Sequence, residues 1–237
     1  NDQEAKYDYI ADVFDTLIVR DIRQKYKIRN MQLMNQLVDF LMDNISNLTS
    51  ARSIQAALSG TQEKTNHVTI SAYMQYLCNA FAFYRIRRYD IKGKKYINTP
   101  YKYYFADMGL RNARLNFSQD EETHAMENII FNELVRRGYS VDVGMVPSWK
   151  NKEKKQLLEV DFIVNNMDRR YYIQSALALP NLEKLDQEQQ SLMSIQDSFK
   201  KIIITKESFR SHYNSDGIFF LTSTVIFAVI SDARQYR

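Results

Sequence analysis

Leu157-Leu-Glu-Val-Asp-Phe-Ile-Val164 is an apolar run interrupted twice, by Glu159 and Asp161. Its length and its Val, Ile and Phe content predict a buried β-strand. Side chains alternate along a strand, so the two carboxylates share a face, about 6.6 Å apart along it. Charges inside such a strand are costly unless something uses them. With Glu127 on the helix predicted upstream, Glu159 and Asp161 supply the hard oxygen ligands that a divalent cation such as Mg²⁺ takes, as phosphodiester cleavage requires. The plainer alternative is an edge strand that wets one face.

The segments around this strand form one pattern. Glu121 to Arg137 reads as a helix with Met126, Ile129, Ile130, Leu134 and Val135 inward, ended by Gly138. Tyr139–Val146, Leu157–Val164 and Tyr171–Leu177 are strand-like runs separated by a lysine-rich loop and by Asn165-Asn-Met-Asp168, as in a meander. Leu182–Ile195 is a polar helix, and Lys201–Thr205 and Gly217–Leu221 are further strands. The order α-β-β-β-α-β-β implies a three-layer sheet domain over 121–237.

The first half is helical. Asp8–Tyr26 forms a lead-in helix, and Met34, Leu37, Val38, Leu41 and Ile45 give Met31–Ile45 one apolar stripe. Ser50 or Ser53 caps a short helix through Leu58. A polar loop from Gly60 to Asn66 precedes a third helix over about Thr69–Tyr84, with Ile70, Tyr73, Met74, Leu77, Phe81 and Tyr84 inward. Tyr84-Arg-Ile-Arg-Arg-Tyr-Asp-Ile91 then alternates with period two, and Lys92-Gly-Lys-Lys95 and Tyr96-Ile97 complete a hairpin. Three helices followed by a hairpin are the winged-helix arrangement. The fold class is therefore α/β (α+β): a lead-in over 1–30, a winged-helix-like domain over 31–100, a linker over 101–120 and the sheet domain.

Composition narrows the function. The chain has 237 residues with six Gly, three Pro and one Cys, which excludes collagen-like and disordered classes. Cys78 has no partner for an internal disulfide, and no stretch approaches the ~18 apolar residues of a membrane helix, so a cytoplasmic protein without a membrane is expected. His67, His124 and His212 are far apart in sequence, which argues against zinc. There is no P-loop, dinucleotide fingerprint or Gly-x-Ser-x-Gly elbow. The opening Asn1-Asp2-Gln3, without Met or signal core, suggests a fragment of a longer protein.

Net charge is only +4, but Arg85, Arg87, Arg88, Lys92, Lys94, Lys95 and Lys102 face the single acid Asp90 within 85–102, leaving the rest net acidic. Cations interleaved with Tyr89, Tyr96, Tyr101, Tyr103 and Tyr104 suit gripping of DNA or RNA phosphates and stacking on bases; a solvated hairpin with core tyrosines is the bland alternative. The third helix adds Gln75 and Asn79, which can pair with adenine edges, but no cation. Winged helices also dock proteins or self-associate.

A helix bearing Glu, a meander containing Glu-x-Asp-Phe and a following strand resemble the PD-(D/E)xK nuclease-like fold. The whole chain resembles the C-terminal part of a prokaryotic family of AAA-type ATP-binding proteins, whose tail is a domain of unknown function. The likeness rests on Asp12-Val-Phe-Asp-Thr-Leu-Ile-Val-Arg-Asp21, Arg87-Arg-Tyr-Asp-Ile-Lys-Gly-Lys94, Lys102-Tyr-Tyr-Phe-Ala-Asp-Met-Gly-Leu-Arg-Asn112, Glu127-Asn-Ile-Ile-Phe-Asn-Glu-Leu-Val-Arg-Arg-Gly-Tyr139, Glu159-Val-Asp-Phe162 and Tyr172-Ile-Gln-Ser175. The resemblance places the motif's aspartate on Asp161 and its helix glutamate on Glu127. Gln174, Ser175 and Ala176 stand where it has an acid, any residue and a lysine. An amide is a poor Mg²⁺ ligand, and Ala176 cannot orient a water as an ammonium would. The resemblance thus implies an ATPase whose nucleotide site lies outside this chain, and a nuclease-derived domain without cleavage. A Mg²⁺-dependent nuclease and a protein-interaction module are the competing expectations.

Overall fold

The computed structural model describes residues 9–10, 12–14, 16, 20–58, 66–116, 121–150, 154–167 and 169–223. Among them the helices are α1 (Arg20–Tyr26), α2 (Met31–Asp43), α3 (Ala51–Leu58), α4 (His67–Asn79), α5 (Met108–Arg114), α6 (Glu122–Arg136) and α7 (Leu182–Met193). The strands are β1 (Leu48–Thr49), β2 (Phe83–Asp90), β3 (Lys95–Phe105), β4 (Ser140–Lys150), β5 (Lys154–Asn166), β6 (Arg169–Ala176), β7 (Lys200–Thr205), β8 (His212–Tyr213) and β9 (Phe219–Thr222). The fold is mixed α/β, with strands paired in the order β1-β3-β2-β4-β5-β6-β7-β9-β8. No helix among the described residues is long and apolar enough to cross a membrane. The chain divides into two units, residues 1–86 with 99–128 and residues 87–98 with 129–237.

In the first unit the helices start where short polar side chains cap them. Asn30 Oδ1 accepts the Leu33 amide at 2.8 Å at the start of α2, and Asn66 does the same for Thr69 at α4. The apolar stripe of α2 (Leu33, Met34, Leu37, Val38, Leu41, Met42) is buried against Ile54 of α3 and Ile70, Met74 and Leu77 of α4. The carbonyl of Met42, in the last turn of α2, accepts the Nε–H of the buried Arg111 at 2.7 Å, which satisfies one of the acceptors a helix end leaves open. β1 pairs antiparallel with β3, setting Leu48 opposite Lys102 and Thr49 opposite Tyr101.

The start of α6 is fastened to β3 by two neighbouring side chains. Asn128, fully buried, donates from Nδ2 to the Phe105 carbonyl and accepts the Phe105 N–H at Oδ1, both at 2.8 Å, as a neighbouring strand would. Glu127 Oε1 accepts from Lys102 Nζ at 2.8 Å and from the Tyr104 hydroxyl at 2.6 Å, all three side chains being buried. Such a pair adds little net stability, yet losing one partner strands the other's charge away from water.

The second unit contains the meander. β4 pairs antiparallel with β5 and β5 with β6, while β6–β7 and β7–β9 are parallel. The continuous Ile202-Ile-Ile204 run fits a parallel strand buried between neighbours. One core of this unit collects Val160, Ile163, Tyr172, Ala176, Ile203 and Phe220 with Leu192 and Ile195. The β4–β5 register shifts between Asp142, opposite Ile163, and Gly144, opposite Val160. Asp161 and Phe162 therefore face Val143 alone, as a bulge. Glycine is required at 144, since a Cβ there would lie 2.9 Å from the Cβ of Val160.

Several expectations change. Of the lead-in helix, positions 8, 11, 15 and 17–19 lie outside the described residues, and Arg20–Tyr26 is helical. The third helix ends at Asn79, and Phe81, expected inward, has a φ of 57° and is 72% exposed because the chain reverses there into β2. Ile129 is also exposed, lying off the buried stripe of Met126, Ile130 and Leu134. The span 101–120, expected as a linker, holds the end of β3 and α5, capped by Asp107.

Replacing Asn128 by Leu, close in size but without polar atoms, would take both side-chain hydrogen bonds away from the buried backbone of Phe105. We expect a destabilisation on the order of 3 kcal/mol. Urea denaturation measures it, and a change below about 1 kcal/mol would show that the clasp is dispensable.

Candidate functional site

The hairpin of β2 and β3 turns on Asp90, whose Oδ1 accepts the Gly93 amide at 2.8 Å. A Cβ at Gly93 would lie 2.3 Å from Asp90 Oδ2, so a larger residue there would push the Asp90 carboxylate out of its place in the turn. Lys92, Lys94 and Lys95 at this tip are exposed, as are Arg85 and Arg87, while Arg88 is half-buried. The tyrosines divide between surface and core. In the second unit the Arg87 guanidinium lies 3.7 Å from the Tyr96 ring centroid, and the Tyr96 hydroxyl donates to Asp142 Oδ2 at 3.1 Å. Burial raises the Asp142 carboxyl above its ordinary range, opposed by that hydrogen bond and by Arg87 and Arg170. In the first unit Arg85 lies 5.1 Å from the Tyr101 ring, whereas Tyr103 and Tyr104 are buried. Lys102, grouped with the basic cluster in sequence, is buried against Glu127 and takes no part in that surface.

The exposed side of α4 is already bonded. Gln75 Nε2 donates to Asn79 Oδ1 at 2.8 Å, Asn79 Nδ2 donates to the Tyr26 hydroxyl at 3.2 Å, and Tyr76 stacks on Tyr26 with centroids 3.9 Å apart. Of the two amides expected to read base edges, Asn79 ties α4 to α1 through Tyr26, and Gln75 bonds Asn79 within α4.

The acids distribute likewise. Glu127 is the clasp residue of the first unit, its Oε1 occupied by Lys102 and Tyr104. Glu159 and Asp161 lie in the second unit, and the bulge at Asp161 interrupts the strict alternation on which a shared face depended. Among the described residues no three His, Cys, Asp or Glu side chains are grouped to hold a metal ion. Asp161 is buried, and its Oδ2 accepts the Ser175 amide of the next strand at 2.8 Å. Gln174 Oε1 accepts weakly, at 3.4 Å, from the Asp161 amide and the Ser191 hydroxyl, and its Nε2 donates to Glu188 Oε2 at 3.4 Å. Glu188 is also paired with Lys184 one turn earlier on α7. Ala176, where the motif has lysine, is a core residue at 2% exposure. The sequence reading missed Asp142, Glu188, Arg170 and Phe199; the signal for Asp142 is an acid between Val141 and Val143 in a strand.

Residues 1–121 match the model of the family described as Domain of unknown function (DUF8612). The chain belongs to that family. An uncharacterized protein of Haemophilus influenzae is 35% identical over 205 residues, 86% of this chain and 48% of that protein. The uncharacterized protein MJ1544 of Methanocaldococcus jannaschii is 24% identical over 69% of this chain and 35% of its own length. The chain thus spans about half or less of these relatives. The crystal structure of protein VC1899 from Vibrio cholerae aligns over 88% of this chain and 57% of that one, with 11% identity and a TM-score of 0.29, too low for a structural argument.

Two substitutions separate the roles of the motif positions. Ala176→Lys puts an ammonium into the core and should cost more than about 3 kcal/mol. Gln174→Glu replaces a donor to Glu188 by a like charge, so the new carboxyl is raised in the folded state. Its cost, about 1–2 kcal/mol, should be present above that raised value and fade as pH falls through it. Denaturation at neutral pH and near pH 4 checks both; a stable Ala176→Lys variant would put position 176 in a polar pocket.

Proposed function

We propose that this DUF8612 chain is a nucleic-acid-binding regulatory region of a cytoplasmic AAA-type ATP-binding protein, built from a winged-helix module and a nuclease-like sheet domain that does not cleave. The observation carrying this reading is the hairpin tip, where Lys92, Lys94 and Lys95 stand exposed around an Asp90–Gly93 turn. Exposed cations gathered at a hairpin turn are suited to phosphates and add a salt-dependent, sequence-independent affinity.

The winged-helix reading is supported by the order α2-β1-α3-α4-β2-β3, in which β1 pairs with the returning strand β3. The nuclease-like reading is supported by α6-β4-β5-β6-α7-β7, with an antiparallel meander and a parallel fourth strand. Absence of cleavage is supported by the occupied Glu127, the hydrogen-bonded amide at Gln174 and the core packing of Ala176. ATP would bind a part of the longer protein outside this chain, and the bound strand would be what its nucleotide state regulates.

The test is titration of the chain with duplex DNA over a range of salt, beside the variant Lys92→Glu, Lys94→Glu, Lys95→Glu. For every phosphate that the variant no longer neutralises, the slope of log K against log salt should fall by about 0.9, and binding at low salt should weaken. Equal affinity and slope for the two proteins would remove the hairpin from the mechanism.

A further inference from the structure

The second unit carries a row of cations and rings that runs from the hairpin to β6 and the turn before β7. Arg87 covers Tyr96 at 3.7 Å, Tyr96 meets Tyr89 edge-on at 5.2 Å, and Arg170 lies 5.7 Å from the Tyr89 ring and 5.5 Å from that of Phe199. These residues come from β2, β3, β6 and the turn before β7, so tertiary structure assembles the row.

Its members are held in place. The Tyr96 hydroxyl is fixed by Asp142 at 3.1 Å and the Arg170 Nε donates to Asn165 Oδ1 at 2.8 Å. The Phe199 amide donates to Asp197 Oδ1 at 3.1 Å, while Asp197 Oδ2 accepts the Tyr172 hydroxyl at 2.6 Å. Asp142 and Asp197 are thus engaged, and Asp142 is 8% exposed. Tyr96 and Phe199 are nevertheless 45% and 41% exposed. Exposed large rings flanked by permanently charged guanidiniums provide faces for bases and charge for the phosphates between them.

A duplex keeps its base faces stacked inside and offers such a row only phosphates, whereas a single strand can lay bases on the rings. We infer that Arg87, Tyr96, Tyr89, Arg170 and Phe199 form a stacking track for single-stranded nucleic acid. This deepens the nucleic-acid reading above and rests on it.

The test uses the whole chain with DNA and RNA oligonucleotides of about 12 nucleotides containing 2-aminopurine, and with a duplex of the same sequence, at about 50 and 200 mM salt. The wild type should bind the single strands more tightly than the duplex and quench 2-aminopurine. Phe199→Ala should lower single-strand affinity about tenfold, as removal of one stacked base would, with the salt slope unchanged and duplex binding intact. Arg170→Gln should lower the same affinity together with the slope, by about 0.7. Phe199→Trp should restore quenching, which a merely structural role would not require. Duplex binding without 2-aminopurine quenching, or a folded Phe199→Ala with unchanged single-strand affinity, overturns the track while leaving the hairpin reading in place. No binding of any oligonucleotide overturns both and leaves a face that docks protein.

Discussion

A side-chain amide imitating a strand is the constraint on which the first unit depends. Asn128 closes two hydrogen bonds on the backbone of Phe105, and its neighbour Glu127 neutralises Lys102 and receives Tyr104. β3 is thereby fixed over its last four residues, the same strand that receives β1 and carries the returning arm of the basic hairpin. A strand in which the buried side chains Lys102, Tyr103, Tyr104 and Phe105 follow one another needs polar partners, and the start of α6 provides them. The acid that resemblance assigns to catalysis is therefore occupied by stability.

The same economy runs through the second unit. Asp161, at the bulge in the β4–β5 ladder, turns its carboxylate to the Ser175 amide of β6 on the other side of its strand. Gln174 links Asp161 of β5 to Glu188 and Ser191 of α7 through contacts longer than ordinary hydrogen bonds, and Ala176 fills core volume. An acid, an amide and a methyl at these three positions satisfy the backbone and the core. Gln174 thus offers an amide and Ala176 a methyl where the nuclease motif has a carboxylate and a lysine.

Much of the architecture was legible in the sequence because it is written locally. The periodicity of α2, the meander and the Ile202–Ile204 strand follow from spacing alone, and Asn181 capping α7 is a local signal of the same kind. What escaped was non-local. The bulge at Asp161 depends on pairing with β4, the extension of β3 to Phe105 depends on β1 and α6, and the division of the tyrosines into exposed and buried depends on which strand faces which core. Of the site, the basic hairpin was legible as composition. The role of Asn79 was not, since its partner Tyr26 lies 53 positions away.

The proposal turns on Glu127 and Asp161 serving structure while the hairpin lysines serve binding. The most direct measurement is incubation of the purified chain with supercoiled plasmid and with labelled single-stranded and duplex oligonucleotides in Mg²⁺ and in Mn²⁺, alongside Asp161→Asn. The account predicts intact substrates in every lane, retained in complex by the chain at low salt. Metal-dependent cleavage by the wild type that disappears in a folded Asp161→Asn variant would contradict it.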